Sequence, residues 1–136
     1  MDVTVSLASE ARQLNSRSGI KLAIVGGRNF NNYNLLKSEV DTFIALGHNV
    51  HEIVSGGAIG ADQLGERYAK ENKINFVVFK PDWNSHGRAA GIIRNGDIIG
   101  RCTHVIAFWD GISAGTKNSI DRANRSGKPC KVVMFK

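Results

Sequence analysis

Short runs of β-branched and other apolar residues alternate with stripes of helical spacing along most of the chain, and nearly every run is closed by glycine, asparagine, aspartate or proline. That alternation is the strongest constraint on the fold. The runs fall at residues 21–25, 52–54, 75–79, 103–108 and 131–135 and read as five strands. Between the first two, Leu35, Leu36, Val40, Phe43, Ile44 and Leu46 form an apolar stripe that starts near Asn34 and stops at Gly47, which predicts a helix over 35–46. The spacing predicts further helices over 61–72, with Leu64, Tyr68 and Ala69 on one face, and over 89–100, with Ile92, Ile93, Ile98 and Ile99. A last one, over 115–126, carries Ile120 and Ala123 inward and ends at Gly127 before Pro129.

Strands that are apolar along nearly their whole length are buried on both faces, as in a parallel sheet covered by crossover helices. The expected fold class is therefore α/β, a single Rossmann-like doubly wound domain of about five mainly parallel strands. Ligands of such sheets collect outside the carboxyl ends of the strands, so the loops after each strand are where function is sought. At 136 residues the chain suits one domain. We expect it over residues 20–136, preceded by an extension over 1–19 in which Leu7, Ala8, Ala11 and Leu14 have the spacing of a short accessory helix.

The extension has an acidic residue at position two and no apolar core of seven residues, so it reads as neither a signal peptide nor a membrane span, and a cytoplasmic location is expected. Cys102 and Cys130 have no CxxC or Cys/His spacing and read as reduced, buried thiols rather than metal ligands. His48, His51 and His104 have no evident partners and read as structural or surface residues. A formal charge of +6 favours anionic partners. The basic residues are scattered, which argues against a nucleic-acid-binding tail.

Four loops carry the candidate chemistry. After the first strand, Gly26 and Gly27 allow close backbone approach and Arg28 adds a cation suited to a phosphate. After the second, Ser55, Gly56, Gly57, Gly60 and Asp62 lie in a glycine-rich stretch that opens a helix, where backbone amides attract anions. The stretch lacks both the P-loop ending and the GxGxxG spacing. Asp62 suits either a ribose hydroxyl or the helix dipole. Residues 80–95 form a long polar connection: Trp83 can stack on a base or act as a packing lid, and Arg88, Arg94 and Asn95 are candidate ligand contacts, while His86 reads as polar filler. After the fourth strand, Asp110, Gly111, Ser113, Gly115 and Thr116 form a third glycine- and hydroxyl-bearing loop, with Asp110 either a general base or a turn former.

Taken in order, GGRNF at 26–30, SGGAIGAD at 55–62, PDW at 81–83, HGRAAGIIRN at 86–95 and AFWDGISAGTKNSI at 107–120 resemble the SLOG superfamily, and within it the YspA/YpsA-related branch frequent in bacteriophages. The resemblance implies a Rossmann-like fold holding a nucleotide or nucleotide-derived ligand over the loops at Gly26 to Arg28, Ser55 to Asp62 and Asp110 to Thr116. The cytokinin-activating phosphoribohydrolases of the superfamily have a proline-glycine-glycine and a glycine-threonine followed by a catalytic glutamate. Here Asp110-Gly111 replaces the first, Gly115-Thr116 is retained, and Ser119 stands in the glutamate's place, where a serine cannot supply the carboxylate of glycosidic hydrolysis.

Three functions follow as expectations. The first is a module that senses or sequesters a nucleotide-derived signalling molecule, within phage–host conflict and in the host cytoplasm if the chain is phage-encoded. The second is a hydrolase of an N-glycosidic or phosphate bond, with Asp62 or Asp110 as the carboxylate and Arg28, Arg88 or Arg94 on phosphate. The third, single-strand DNA binding of the DNA-processing type, is less favoured by the scattered charge. Mg²⁺ accompanying a nucleotide would leave no ligand signature, and a homo-oligomer is the default expectation.

Overall fold

The computed structural model describes residues 19–136; the helical spacing at Leu7 to Leu14 lies outside the described residues. The elements alternate as expected: β1 (Ile20–Gly26), α1 (Tyr33–Ala45), β2 (Val50–Ser55), α2 (Ala61–Glu71), β3 (Asn75–Val78), a short helix α3 (Trp83–His86), a 3-10 turn (Gly87–Ala89), α4 (Ala90–Arg101), β4 (His104–Trp109), α5 (Ala114–Arg125) and β5 (Cys130–Met134). The five strands form one sheet in the order β3-β2-β1-β4-β5, and every adjacent pair is parallel. β1 is therefore the strand from which the winding reverses, and the carboxyl ends of β1 and β4 flank the topological switch point.

Successive side chains of a strand point to opposite faces, and both faces are filled. Leu22 and Ile24 of β1 pack with Leu36 and Val40 of α1 and with Tyr68 and Ala69 of α2. Ala23 and Val25 pack with Ile98 and Ile99 of α4 and with Ile120 and Ala123 of α5. α4 is thus the crossover that carries the chain from one side of the sheet to the other.

The departures from the expected elements have local causes. Asn32, not Asn34, caps α1, its side chain accepting from the Leu35 N–H at 3.0 Å. The connection at 80–95 is largely helical: Asp82 caps α3 by accepting from the Ser85 N–H at 3.1 Å, and α4 follows. Ile92 and Ile93 were expected in the core beside Ile98 and Ile99. They are exposed to 52% and 40%, because only the second half of α4 lies flat on the sheet. Cys102 is buried and Cys130 only half-buried, both as free thiols. None of the described helices is long and apolar enough to cross a membrane.

A charged residue, Glu52, sits at the edge of this apolar frame. Glu52 on β2 is 5% exposed, and Arg101 at the end of α4 grips it with two hydrogen bonds, Nε to Oε2 and Nη2 to Oε1, each 2.8 Å. The paired guanidinium holds the Glu52 carboxyl below the usual carboxylate range despite its burial. A carboxylate depressed in this way contributes stability that is present above the unfolded pKa and lost as pH falls through the folded one. Arg101→Met leaves Glu52 without its partner. We expect it to cost about 1–3 kcal/mol in urea unfolding at pH 7, with the gap to wild type narrowing as pH falls below the ordinary glutamate range and Glu52 takes up a proton.

Candidate functional site

The first strand-to-helix loop rests on β4 and on the start of α2. The Gly27 N–H donates to the Phe108 carbonyl at 3.3 Å, and the Gly27 carbonyl accepts from the Ala61 N–H at 3.4 Å. This close approach requires Gly60, at φ +89°, where a Cβ would fall 2.8 Å from the Arg28 Cα and carbonyl oxygen. Behind that contact, between the carboxyl ends of β1 and β4 and beneath α4, opens a cleft of about 350 Å³.

Much of the expected site converges on this cleft. Gly26, Gly27 and Arg28 line it from the first loop, Asp62 from α2, Trp83, Arg88, Arg94 and Asn95 from the segment after β3, and Ser113, Gly115 and Thr116 from the last loop. Gly56 and Gly57 line an adjoining opening instead. Ser55, Gly60, Asp110 and Gly111 line neither. Ser55 is fully buried, with its Oγ 3.5 Å from the Gly57 N–H. Ser119, in the glutamate's place, is buried and lines the cleft.

The backbone amides expected to cradle phosphate are largely committed to the protein. The Ala58 N–H donates to Asp62 Oδ2 at 3.1 Å, and the Ala61 N–H to the Gly27 carbonyl. In the last loop, Asp110 Oδ1 accepts from the Ile112 and Ser113 N–H groups at 2.9 and 2.8 Å, and Ser113 caps α5 through the Thr116 N–H at 3.4 Å. These amides hold the Asp110 carboxyl below its ordinary range. Asp110 thus closes this turn, one of its two expected roles.

What the cleft does offer is side-chain charge. Arg28 reaches it from the first loop and Arg88 and Arg94 from the 3-10 turn and α4 after β3, and Asp62 is the one carboxylate lining it among the described residues. Arg94 is fixed in place: its Nη1 donates to the Gly56 carbonyl at 2.8 Å and its Nε to Asn95 Oδ1 at 3.1 Å. Asn95 Nδ2 in turn lies 3.3 Å from the Gly115 carbonyl and from Asn118 Oδ1, and Arg122 Nε donates to the same Asn118 oxygen at 3.0 Å. A side chain at Gly56 would displace the guanidinium from this place, since a Cβ would sit 2.8 Å from Arg94 Cζ and 3.0 Å from Asp62 Oδ2. Sequence reasoning missed Asn118 and Arg122, four residues apart on α5, and Lys80, whose position just past the end of β3 was the available signal.

Asp62 is 7% exposed. Burial pushes its carboxyl up to about 6, against the opposing pull of the Ala58 N–H and the Arg94 charge. A carboxyl raised in the folded state favours folding in its protonated form, so the benefit is full below the unfolded pKa of about 3.9 and is lost as pH rises through about 6. Asp62→Asn keeps an oxygen for the Ala58 N–H and removes the charge. Urea unfolding from pH 4 to 8 should find it roughly 1–3 kcal/mol more stable than wild type at pH 8 and little different at pH 4.

An all-parallel 3-2-1-4-5 sheet with an arginine-lined cleft at its switch point defines a Rossmann-like protein of the nucleotide-binding kind of architecture. Residues 20–86 match the YspA, cpYpsA-related SLOG family, and the Gene 61 protein of Mycobacterium phage D29 is 30% identical over 105 residues, covering 68% of this chain and 84% of that protein. The chain belongs to the YspA, cpYpsA-related SLOG family. Among solved structures, the fold is similar to DNA processing protein A of Streptococcus pneumoniae, at a TM-score of 0.71 and 17% identity over 90% of this chain. DNA processing protein A of Helicobacter pylori, solved in a study of its single-stranded DNA binding mode, has a TM-score of 0.66 and 20% identity over 92% of this chain. The chain spans 53% of the first structure and 69% of the second.

Proposed function

We propose that this protein binds a phosphate-bearing, nucleotide-derived small molecule in the switch-point cleft and holds it intact, sensing or sequestering it. The observation that carries this reading is the convergence of Arg28, Arg88 and Arg94 on one cleft. Guanidinium groups pair with phosphate oxygens in bidentate fashion, and Arg94 is already oriented by Gly56 and Asn95, so less ordering entropy is lost on binding. Turnover is disfavoured by the acids present. Asp62 is tucked under the Ala58 N–H, Asp110 is absorbed in its turn, and Ser119 stands where a glycosidic carboxylate would be needed. The similarity to a mycobacteriophage protein supports a role in phage–host conflict within the host cytoplasm, and a homo-oligomeric form belongs to the same reading.

A second reading has one observation in its favour. Trp83 is 54% exposed at the rim of the cleft, the arrangement on which a base of single-stranded DNA stacks, and the H. pylori neighbour was studied for that mode. Affinity for an oligonucleotide that falls steeply with salt is its signature.

Mass spectrometry of small molecules released from the natively purified protein tests the first reading. We expect an intact nucleotide-class compound and a raised Tm when it is added back. Arg28→Ala and Arg88→Ala, both at exposed positions, should each weaken binding about tenfold or more without lowering the Tm of the free protein. Recovery of a cleaved compound, or unaltered affinity in both variants, would overturn the proposal.

A further inference from the structure

A second opening lies against the first. It encloses about 430 Å³ and adds Gly56, Gly57, Ile59, Lys80 and Pro81, while Arg28, Ala58, Trp83 and Arg94 border both openings. The two spaces therefore share a wall, and that wall carries two of the three cleft arginines. Arg94 uses two of its five N–H groups to hold its place, leaving the rest of the guanidinium fork for a ligand lying across the wall.

The second opening has its own charge and its own apolar surface. Gly57, at φ +73°, has no side chain, and a Cβ there would fall 3.4 Å from Lys80 Cγ and 3.6 Å from Lys80 Cε. The Lys80 stem thus lies along the Gly57 backbone, and the residue lines the opening. At the mouth, Ile59 and Trp83 leave 58% and 54% of their surface exposed, both on the lining of the same opening. On the far side of the wall, the first cleft presents Val25, Ile92 and Ile98 beside the polar Asn95 and Thr116. Cations in the middle with apolar surface on both sides match two nucleosides joined through phosphate. A mononucleotide would leave one side empty.

Resting on the small-ligand reading above, we infer that the two openings are subsites of one elongated site for a two-nucleoside ligand. Its linking phosphates lie at Arg28 and Arg94, one nucleoside occupies the switch-point cleft, and the other sits between Trp83 and Ile59 under Lys80.

Titration calorimetry of the full chain with AMP, GMP, NAD, pApA, pGpG and the oligonucleotide dT10 tests this. At least one two-nucleoside probe is expected to bind about tenfold or more tightly than the better mononucleotide. Lys80→Ala and Ile59→Ala, both at exposed positions, are expected to weaken that probe by about five- to tenfold and the mononucleotide by much less. If a mononucleotide binds and no two-nucleoside probe improves on it, the elongated site is wrong and the small-ligand reading stands. If dT10 exceeds every dinucleotide with a steep salt dependence, the ligand is a nucleic-acid strand instead. If no probe binds, both readings fall.

Discussion

The hydrogen bond from Arg94 Nη1 to the Gly56 carbonyl, at 2.8 Å, ties the crossover helix to the loop after β2, and the shape of the site depends on it. A doubly wound sheet leaves a crevice where the winding reverses, because the loops after β1 and β4 turn to opposite faces. Something must cross that crevice without filling it. Arg94 and Asn95 do so from the first half of α4: one reaches the Gly56 loop, the other the Gly115 carbonyl and Asn118 on α5. The side chains that hold the walls in place are thus the same ones that line the cleft. Gly56 gives up its side chain to that guanidinium and Gly60 to the backbone of the first loop, so two of the three glycines after β2 serve the protein's own packing.

That use of glycine marks how far the sequence could be read. The strands and helices were legible because two-faced burial writes continuous apolar runs and crossover helices write a 3.6-residue period. Both signals survive without knowledge of any contact. The site was legible as a set of loops, since topology alone places every strand's carboxyl end on one rim. Which atoms do the work was not legible. Glycine-rich stretches look alike whether their amides await an anion or already serve the protein, and here the Ala58, Ala61, Ile112 and Ser113 amides have internal acceptors. Asp110 illustrates the same limit: an aspartate followed by glycine fits a base or a turn, and only the structure shows its two bonded amides.

The half-exposed isoleucines of α4 failed for a related reason. Ile92, Ile93, Ile98 and Ile99 have the spacing of a buried stripe, but the helix approaches the sheet at its C-terminal half, where Arg101 meets Glu52. Its N-terminal half stands over the crevice, and Ile92 lines the cleft there. Apolar periodicity reports that a side chain avoids water. It does not report whether protein or ligand provides the cover.

Asp62 joins these threads. A carboxyl at the first turn of a helix ordinarily gains from the dipole, yet this one is destabilised as an anion by burial that outweighs both its amide donor and the nearby Arg94. Held this way, it moderates a strongly cationic cleft while staying short of a full negative charge near pH 6. An anionic ligand placed beside it disfavours its ionised form still further, so phosphate binding and proton uptake at Asp62 favour one another. On the proposed reading, a group that gains a proton as an anionic ligand binds would adjust the cleft's charge to that anion. It is poorly suited to act as the persistent anion required to stabilise a cationic transition state.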